Sequence, residues 1–471
     1  MKIQNNIWLL PGGDLKIKTA VWIIIMGLVL QSCENFVEVD VPTNQLLTPA
    51  VFEEKATAHA AMTDIYAKIR DNGLLTGGPT GISVTLGLYT DELRYHGSPA
   101  NTAVNYFNNT LLPTGLDIAT YWNNSYNQIY ASNSVIAGVR NAIRLSQVDR
   151  EQLTGEALFV RALVHSYLTG VFGSIPYVTT TELSTNSDIS KITTDEVYAL
   201  AIADLEEALP LLPEQYATTY RVRPNRFAAQ ALLARLYLYA GRYSEAADAA
   251  SAVLDQTGLY NMQSDLTLTF KKESPATIWQ LSPKAVNGNT LQASVFIFVS
   301  PPPTFVSLTT SQMEAFETGD LRKTNWTKTL TNANGAWHHA FKYRQRTAST
   351  PTVEMSIVLR LSEVYLIRAE ARARAGELNS AIQDVNVIRT TAGLPEANLT
   401  TQSQILNAIL QERRVELFSE YGHRFFDLKR FDTIDESLTD KTGWESTDRL
   451  FPLPQSELNL NTNLLPQNSG Y

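Results

Sequence analysis

Residues 224–254 read PNRFAAQALLARLYLYAGRYSEAADAASAVL, and their punctuation decides the fold. Pro224 suits a first helical turn, where a missing N–H costs nothing. Apolar residues then recur at helical spacing as far as Tyr239 and Ala240, where Gly241 breaks the period. Beyond it the small residues Ala246, Ala247 and Ala250 let a second helix lie close to the first. The same frame returns at 366–388, LIRAEARARAGELNSAIQDVNVI. With Gly241 set against Gly376, Ala234 falls on Ala369, Ala240 on Ala375, Tyr243 on Leu378, Ala246 on Ala381 and Val253 on Ile388. The chain carries a repeated helical hairpin.

Such a repeat, with a unit of about 34 residues, is of tetratricopeptide type. One hairpin cannot bury its own apolar face, so neighbouring segments must also be helical. Residues 51–70 supply the stripe Ala58, Met62, Ile65, Tyr66 and Ile69, stopped by Asn72-Gly73. Helical pattern resumes at 121–143, at 150–172, where Gly173 and Pro176 end it, and at 194–211, 360–391 and 402–421, with a short piece to 431. The expected fold is mainly α. A tetratricopeptide-like helical hairpin scaffold covers about residues 51–72, 117–257 and 359–431, and long loop-rich insertions with a few short strands cover about 73–116 and 261–352. Within the second insertion, Ile278–Leu281 and Val295–Val299 have the look of short strands, and Pro301, Pro302 and Pro303 forbid regular structure after them. Residues 450–459 read as extended.

With 44% hydrophobic residues over 471 positions the chain can bury a large core, and its mean hydropathy of -0.13 is not that of a polytopic membrane protein. The formal net charge is -9 with no Lys/Arg block, which argues against nucleic acid or any polyanion as partner. Residues 1–32 stand apart. Lys16 and Lys18 precede the apolar run 19–30, too short to span a bilayer comfortably but right for a signal-peptide core. The run ends in Leu30-Gln31-Ser32-Cys33, which resembles the bacterial lipobox: cleavage frees the Cys33 amine, and its thiol carries a diacylglycerol. Cys33 is the only cysteine, so no intramolecular disulfide competes for it. At about 0.8 kcal/mol per buried CH₂, several acyl chains hold a protein on a membrane without a spanning helix. Residues 33–50 then form an acylated flexible tether, acidic at Glu34, Glu38 and Asp40, and 51–471 form a single domain.

The motifs of several enzyme classes are missing: there is no Gly-x-Ser-x-Gly elbow, phosphate loop or His-Glu-x-x-His. Asp91 and Glu92 are adjacent, so regular structure points them apart, whereas a glycosidase needs opposed carboxyls roughly 5 to 9.5 Å from each other. His338-His339 lacks the i, i+4 spacing that puts two imidazoles on one helix face, and reads as a surface loop. Neither a metal nor a cofactor is expected. The charges at Arg368–Glu370 and Arg424–Asp427 read as scaffold residues that pair across helices or cap turns.

Five motifs follow one another along the mature chain. They are Gly155-Glu156-Ala157 with Arg161-Ala162, running to Phe172-Gly173-Ser174-Ile175-Pro176; residues 360–370, RLSEVYLIRAE; Asn386-x-Ile388-Arg389 with Ala392-Gly393-Leu394; Glu412-Arg413-Arg414-x-Glu416-Leu417 followed by 422–430, GHRFFDLKR; and Leu465-x-Gln467-Asn468-x-Gly470-Tyr471. Their order resembles the SusD/RagB family of outer-membrane nutrient-binding lipoproteins. Thr391 departs from its pattern, where an arginine is more usual. The resemblance implies a lipid-anchored protein on the outer face of the outer membrane, and a SusC-like TonB-dependent transporter over which it sits as a lid. It implies a non-catalytic role, the capture of oligosaccharides or, in RagB-like branches, of peptides. The acidic residues after Cys33 resemble the surface-export signal of lipoproteins in bacteria that use this family. A glycoside hydrolase and a structural adaptor are the rival readings.

A sugar ring has an apolar C–H face that a flat aromatic covers, while flanking polar groups take its hydroxyls. Among the loop residues Tyr95, Tyr106, Phe107, Trp326 and Trp337 suit the first task, and Asp91, Arg94, His96 and Asn105 the second. Trp279, in a short apolar strand, and Tyr237, Tyr239 and Tyr365, on scaffold helices, read as core.

Overall fold

The computed structural model describes residues 48–471, so Cys33, the leader and most of the tether lie outside the described residues. Contacts divide the chain after Ala50, and Val51–Tyr471 forms one unit. Its longer helices are α1 (Lys55–Asp71), α2 (Ile82–Tyr89), α3 (Leu116–Arg140), α4 (Gln147–Phe172), α5 (Thr194–Leu211), α6 (Arg226–Tyr239), α7 (Tyr243–Leu254), α8 (Leu361–Arg374), α9 (Leu378–Thr391), α10 (Gln402–Glu416) and α11 (His423–Arg430). No helix among the described residues is long and apolar enough to cross a membrane.

The repeat is real in three dimensions. Gly241 and Gly376 both adopt positive φ, +71° and +86°, a region where a side chain is strained. Each closes its helix with the same two bonds: Gly241 N–H to Leu238 O and Arg242 N–H to Tyr237 O in one hairpin, Gly376 N–H to Ala373 O and Glu377 N–H to Arg372 O in the other. The aligned residues Ala234 and Ala369, Ala246 and Ala381, and Val253 and Ile388 are all buried. Pro224 lies just outside the first helical turn. Asn225 is the N-cap, its Oδ1 accepting the Ala228 N–H at 2.9 Å, so a side-chain cap starts α6.

Helix α7 packs on α8, so the second hairpin stacks on the first although a long insertion separates them. From there α6 packs on α5, α5 on α4, α4 on α3 and α3 on α1, while α8 and α9 pack on α10. The charges of the family-like motifs sit in this stack as buried pairs. Arg235 holds Glu363 at 2.6 Å, Arg368 holds Asp384 at 2.7 Å, and Arg430 bridges Glu370 and Asp427, each at 2.7 Å. A denser lattice ties the second insertion to α10: Arg322 meets Asp320, Glu412 and Glu416, and Arg360 meets Glu416 and Glu420, at 2.6 to 3.0 Å. Lys342 closes the lattice on Glu420. Removing one partner of such a pair strands a buried charge, at a cost of about 3–5 kcal/mol.

The insertions hold more regular structure than their sequences suggest. Residues 73–116 contain α2, of which all eight residues are buried, so it lacks the polar face that would reveal a helical period. Strand β1 (Leu93–Tyr95) follows it directly. The second insertion contributes β2 (Thr277–Leu281), β3 (Val306–Leu308), β4 (Thr327–Asn332) and β5 (Gly335–Ala340). β2 pairs antiparallel with β6 (Ser356–Arg360) and buries Trp279, as expected. Tyr237 is likewise core, whereas Tyr239 and Tyr365 are half-buried. Val295–Val299 is not a strand: a turn of helix, Leu291–Phe296, started by the Thr290 cap, takes its first half. A short apolar run has no period to separate the two states. Residues 450–459 are extended only to Pro454, after which Gln455–Leu460 is helical.

Candidate functional site: a groove built by both insertions

Strand β1 comes from the first insertion and β3 from the second, yet they pair antiparallel, Leu93 with Leu308, Arg94 with Ser307 and Tyr95 with Val306. The ladder continues through the His96 N–H to Phe305 O at 2.7 Å, and β5 joins at Leu308 and His338, giving the sheet order β1-β3-β5-β4. Thr309 pins the near end, its hydroxyl donating to Asp91 O at 2.5 Å and its N–H to Glu92 O at 3.1 Å. Pleating turns Leu93 into the core and leaves Arg94 exposed. Over this sheet edge runs a groove of about 820 Å³. Its walls are Asp91, Arg94, Tyr95, His96 and Phe107 from the first insertion, Ser307–Ser311, Trp337 and His338 from the second, and Ser437, Leu438, Asp440, Lys441 and Thr442 from the turns after α11.

The aromatic walls are held in place. Tyr95 donates its hydroxyl to Ser98 O at 2.7 Å and meets Phe305 edge to face at 6.0 Å. Gly97 makes room for that ring, since a Cβ there would stand 2.4 Å from the Tyr95 hydroxyl. Trp337 lies half-buried over Gly335, and its indole N–H has no acceptor among the described residues. The Lys441 ammonium covers Phe107 at 4.3 Å from the ring centroid and donates to Leu88 O at 2.6 Å. Burial pulls Lys441 down to about 8.

Asp91 and Glu92, in the turn that leads into β1, diverge. Asp91 faces the groove and takes two bonds from Arg424, at 2.9 and 2.8 Å, and one from Arg414 at 3.0 Å. Burial works to raise its carboxyl, but these guanidiniums hold it below the usual carboxylate range. Glu92 points into the protein, accepts the Ser419 N–H and is pushed by burial to about 7. His96 shares a 2.8 Å bond with Ser307 and His338 one of the same length with Thr329. Burial, then a nearby cation, lowers both imidazoles, which are neutral at pH 7.

Of the nine residues singled out as ligand contacts, the groove gathers Asp91, Arg94, Tyr95, His96, Phe107 and Trp337. Three lie elsewhere. Tyr106 is 1% exposed, within the cluster of Tyr89, Tyr121 and Phe451, because one turn of helix, Ala103–Phe107, sends it inward and Phe107 outward. Asn105, on the same turn, is half-buried and outside the groove wall. Trp326 is also 1% exposed. The Asp320 cap starts a helical turn that drives it under the sheet, where its N–H reaches Leu266 O at 2.9 Å and its ring meets Phe270 edge to face. His338 and His339 are on β5 rather than a surface loop, and His339 points away from the groove into the protein. The groove also takes in the hydroxyls of Ser307–Ser311 and the segment from Ser437 to Thr442, which the sequence reading does not single out. A run of five, Ser307-Leu308-Thr309-Thr310-Ser311, was the available signal for the first, and nothing local marks the second.

The sequence matches two family models: residues 85–238 one described as "Starch-binding associating with outer membrane", and residues 306–471 that of the SusD family. The chain belongs to the SusD-like family. This SusD-like chain is 25% identical to SusD-like protein P2 of Formosa agariphila, over 96% of its own length and 100% of that relative. It is 23% identical to SusD-like protein P38 of the same organism, over 92% and 95%. A SusD superfamily protein from Bacteroides vulgatus shares the fold with a TM-score of 0.78 at 21% identity, covering 89% of this chain and 100% of that one. A laminarin-binding SusD-like protein does so with a TM-score of 0.77 at 22% identity and the same coverage. Apart from Pro302, the groove residues of this SusD-like chain fall inside the two matched segments.

Proposed function

We propose that the protein is a non-catalytic cell-surface lipoprotein that captures oligosaccharides and delivers them to a SusC-like TonB-dependent transporter in the outer membrane. The groove carries this reading: Tyr95, Phe107 and Trp337 offer apolar faces among seven hydroxyl side chains, a match for rings that are apolar on their faces and polar at their rims. The laminarin-binding relative of the same fold supports it. Residues 1–32 act as a signal peptide, Cys33 carries the lipid, and 33–50 tether the domain to the membrane. Asp91, locked ionised by two arginines, is unsuited to the proton donation a glycosidase requires, and Glu92, with its raised carboxyl, is not in the groove wall.

Calorimetric titration of the full chain with panels of oligosaccharides and peptides tests the reading. Binding of an oligosaccharide without product formation, weakened roughly threefold to tenfold by Trp337→Ala, is the expected result. Turnover lost in Asp440→Asn would establish a hydrolase instead, and binding of peptides alone a RagB-like branch. If neither class binds while a protein partner still copurifies, the molecule is an adaptor. Copurification with a TonB-dependent barrel tests delivery.

A further inference from the structure

Nearly every arginine in the described chain is held by an acceptor on the protein, a side-chain carboxylate or a backbone carbonyl. Among the described residues only Arg94, Arg140 and Arg346 have none. Arg140 is exposed in the last turn of α3, where its charge suits the helix C-terminus. The other two stand in hollows that share the β3 segment. Arg94 lines the groove, and Arg346 lines an adjoining hollow of about 460 Å³ walled by Phe296, Phe298 and Phe305.

A guanidinium has five donors and no acceptor, so a free one in a concave site asks for a partner that only accepts. Neutral sugar hydroxyls are already served by the exposed hydroxyls of Thr310, which both donates and accepts, and Ser311, whose O–H stays free to donate although Arg414 bonds its oxygen. The charge balance points the same way. The groove wall shows Arg94 and Lys441 against Asp91 and Asp440, but Asp91 is matched from behind by both Arg414 and Arg424, leaving four cations to two carboxylates. The chain as a whole is at -9, which argues against a polyanion spread over its surface. That field is screened beyond about 8–10 Å in physiological salt, so the groove answers to its own charges.

We infer that the captured oligosaccharide is acidic, and that Arg94 receives a carboxylate or sulfate ester carried by a sugar bound in the groove with Trp337. The inference rests on the capture reading of that groove. A uronate and a sulfate ester present the same acceptor-only edge, and a guanidinium forks onto either.

The test compares size-matched tetrasaccharides by calorimetry on the full chain: laminaritetraose and cellotetraose as neutral probes, tetragalacturonate and tetramannuronate as uronate probes, and a carrageenan tetrasaccharide as sulfate probe. At least one acidic probe should bind tenfold or more tighter than both neutral ones, with an affinity that falls between 50 and 300 mM NaCl. Arg94→Gln should remove about tenfold of that affinity and most of the salt dependence. Arg140→Gln, the same charge change on the scaffold, should leave both unaltered. Which acidic probe binds separates carboxylate from sulfate recognition. Neutral probes binding as tightly as acidic ones, with Arg94→Gln indifferent, overturn the inference and leave the capture reading standing. An equal loss in Arg140→Gln overturns it too, because the effect would then be long-range charge. Binding by none of the five, with Trp337→Ala equally silent, takes the capture reading down with it.

Discussion

Replacing Asp91 by Asn probes both the architecture and the site. The carboxylate is 17% exposed and its partners Arg424 and Arg414 are 9% and 16% exposed, so all three are partly buried. Removing one member of a fully buried ion pair costs about 3–5 kcal/mol, mostly through the charge left behind. Here some solvent reaches each group and Asn keeps one acceptor for Arg424, so the expected loss at pH 7 is about 2 kcal/mol. The sign with pH is fixed by the direction of the shift. Asp91 has its folded carboxyl lowered, so its contribution is complete above the ordinary value of 3.8 and is lost as pH falls through the folded one. The gap between wild type and variant in urea denaturation should therefore be full at pH 7 and shrink on acidification toward pH 3, with the slope against urea unchanged. Binding should move the other way. With Arg414 and Arg424 uncompensated just behind the groove wall, an acidic oligosaccharide should bind more tightly while a neutral one gains nothing. A stability loss below about 0.5 kcal/mol, or one that does not vary with pH, would refute the reasoning about the pair.

Trp326→Ala should destabilise the protein by about 3–5 kcal/mol in the same denaturation assay, while the fraction that remains folded keeps its oligosaccharide affinity, because this indole fills core rather than groove. His165 is fully buried against Tyr177, accepts the Val178 N–H at Nε2 and bonds the Arg161 carbonyl through Nδ1. Burial drives it from 6.5 to about 3, so the folded state loses about 1.4 kcal/mol per pH unit as pH falls below 6.5 toward 3. His165→Gln should reduce the acid slope of stability by about one proton, measured as the change in urea midpoint between pH 7 and pH 4.5; an unaltered slope would mean the imidazole is not held neutral.

The scaffold was legible because its signals are local and repeated. Gly241 and Gly376 force the same turn, and the alanines beside them sit in the same seams. What escaped has a physical reason in each case. Helix α2 is buried on every side and shows no period, while β4 and β5 carry polar residues outward and hid as loop, although Asn334-Gly335 at their turn is a hairpin signal. Six of the nine ligand candidates, chosen by residue chemistry alone, line one groove. Tyr106 and Phe107 show the limit, since a single turn of helix decides which neighbour faces solvent, and composition is blind to that choice. The segment from Ser437 to Thr442 reaches the groove only through the path of the chain after α11. The motif charges identified the family, but their task became visible only as partners: Arg360 with Glu416 and Glu420, Arg368 with Asp384, and Arg430 with Glu370.

The junction of β1 with β3 makes the shape of the groove a relation between segments rather than a property of any one. Thr309 and Asp91 clasp each other across 218 positions of sequence, and the third wall arrives later still, from Ser437 to Thr442. During synthesis the groove is therefore complete only after every helix of the stack has been made. A transplant of one insertion from a relative would bring half a cleft, so reshaping the groove requires that all three walls be exchanged as a set.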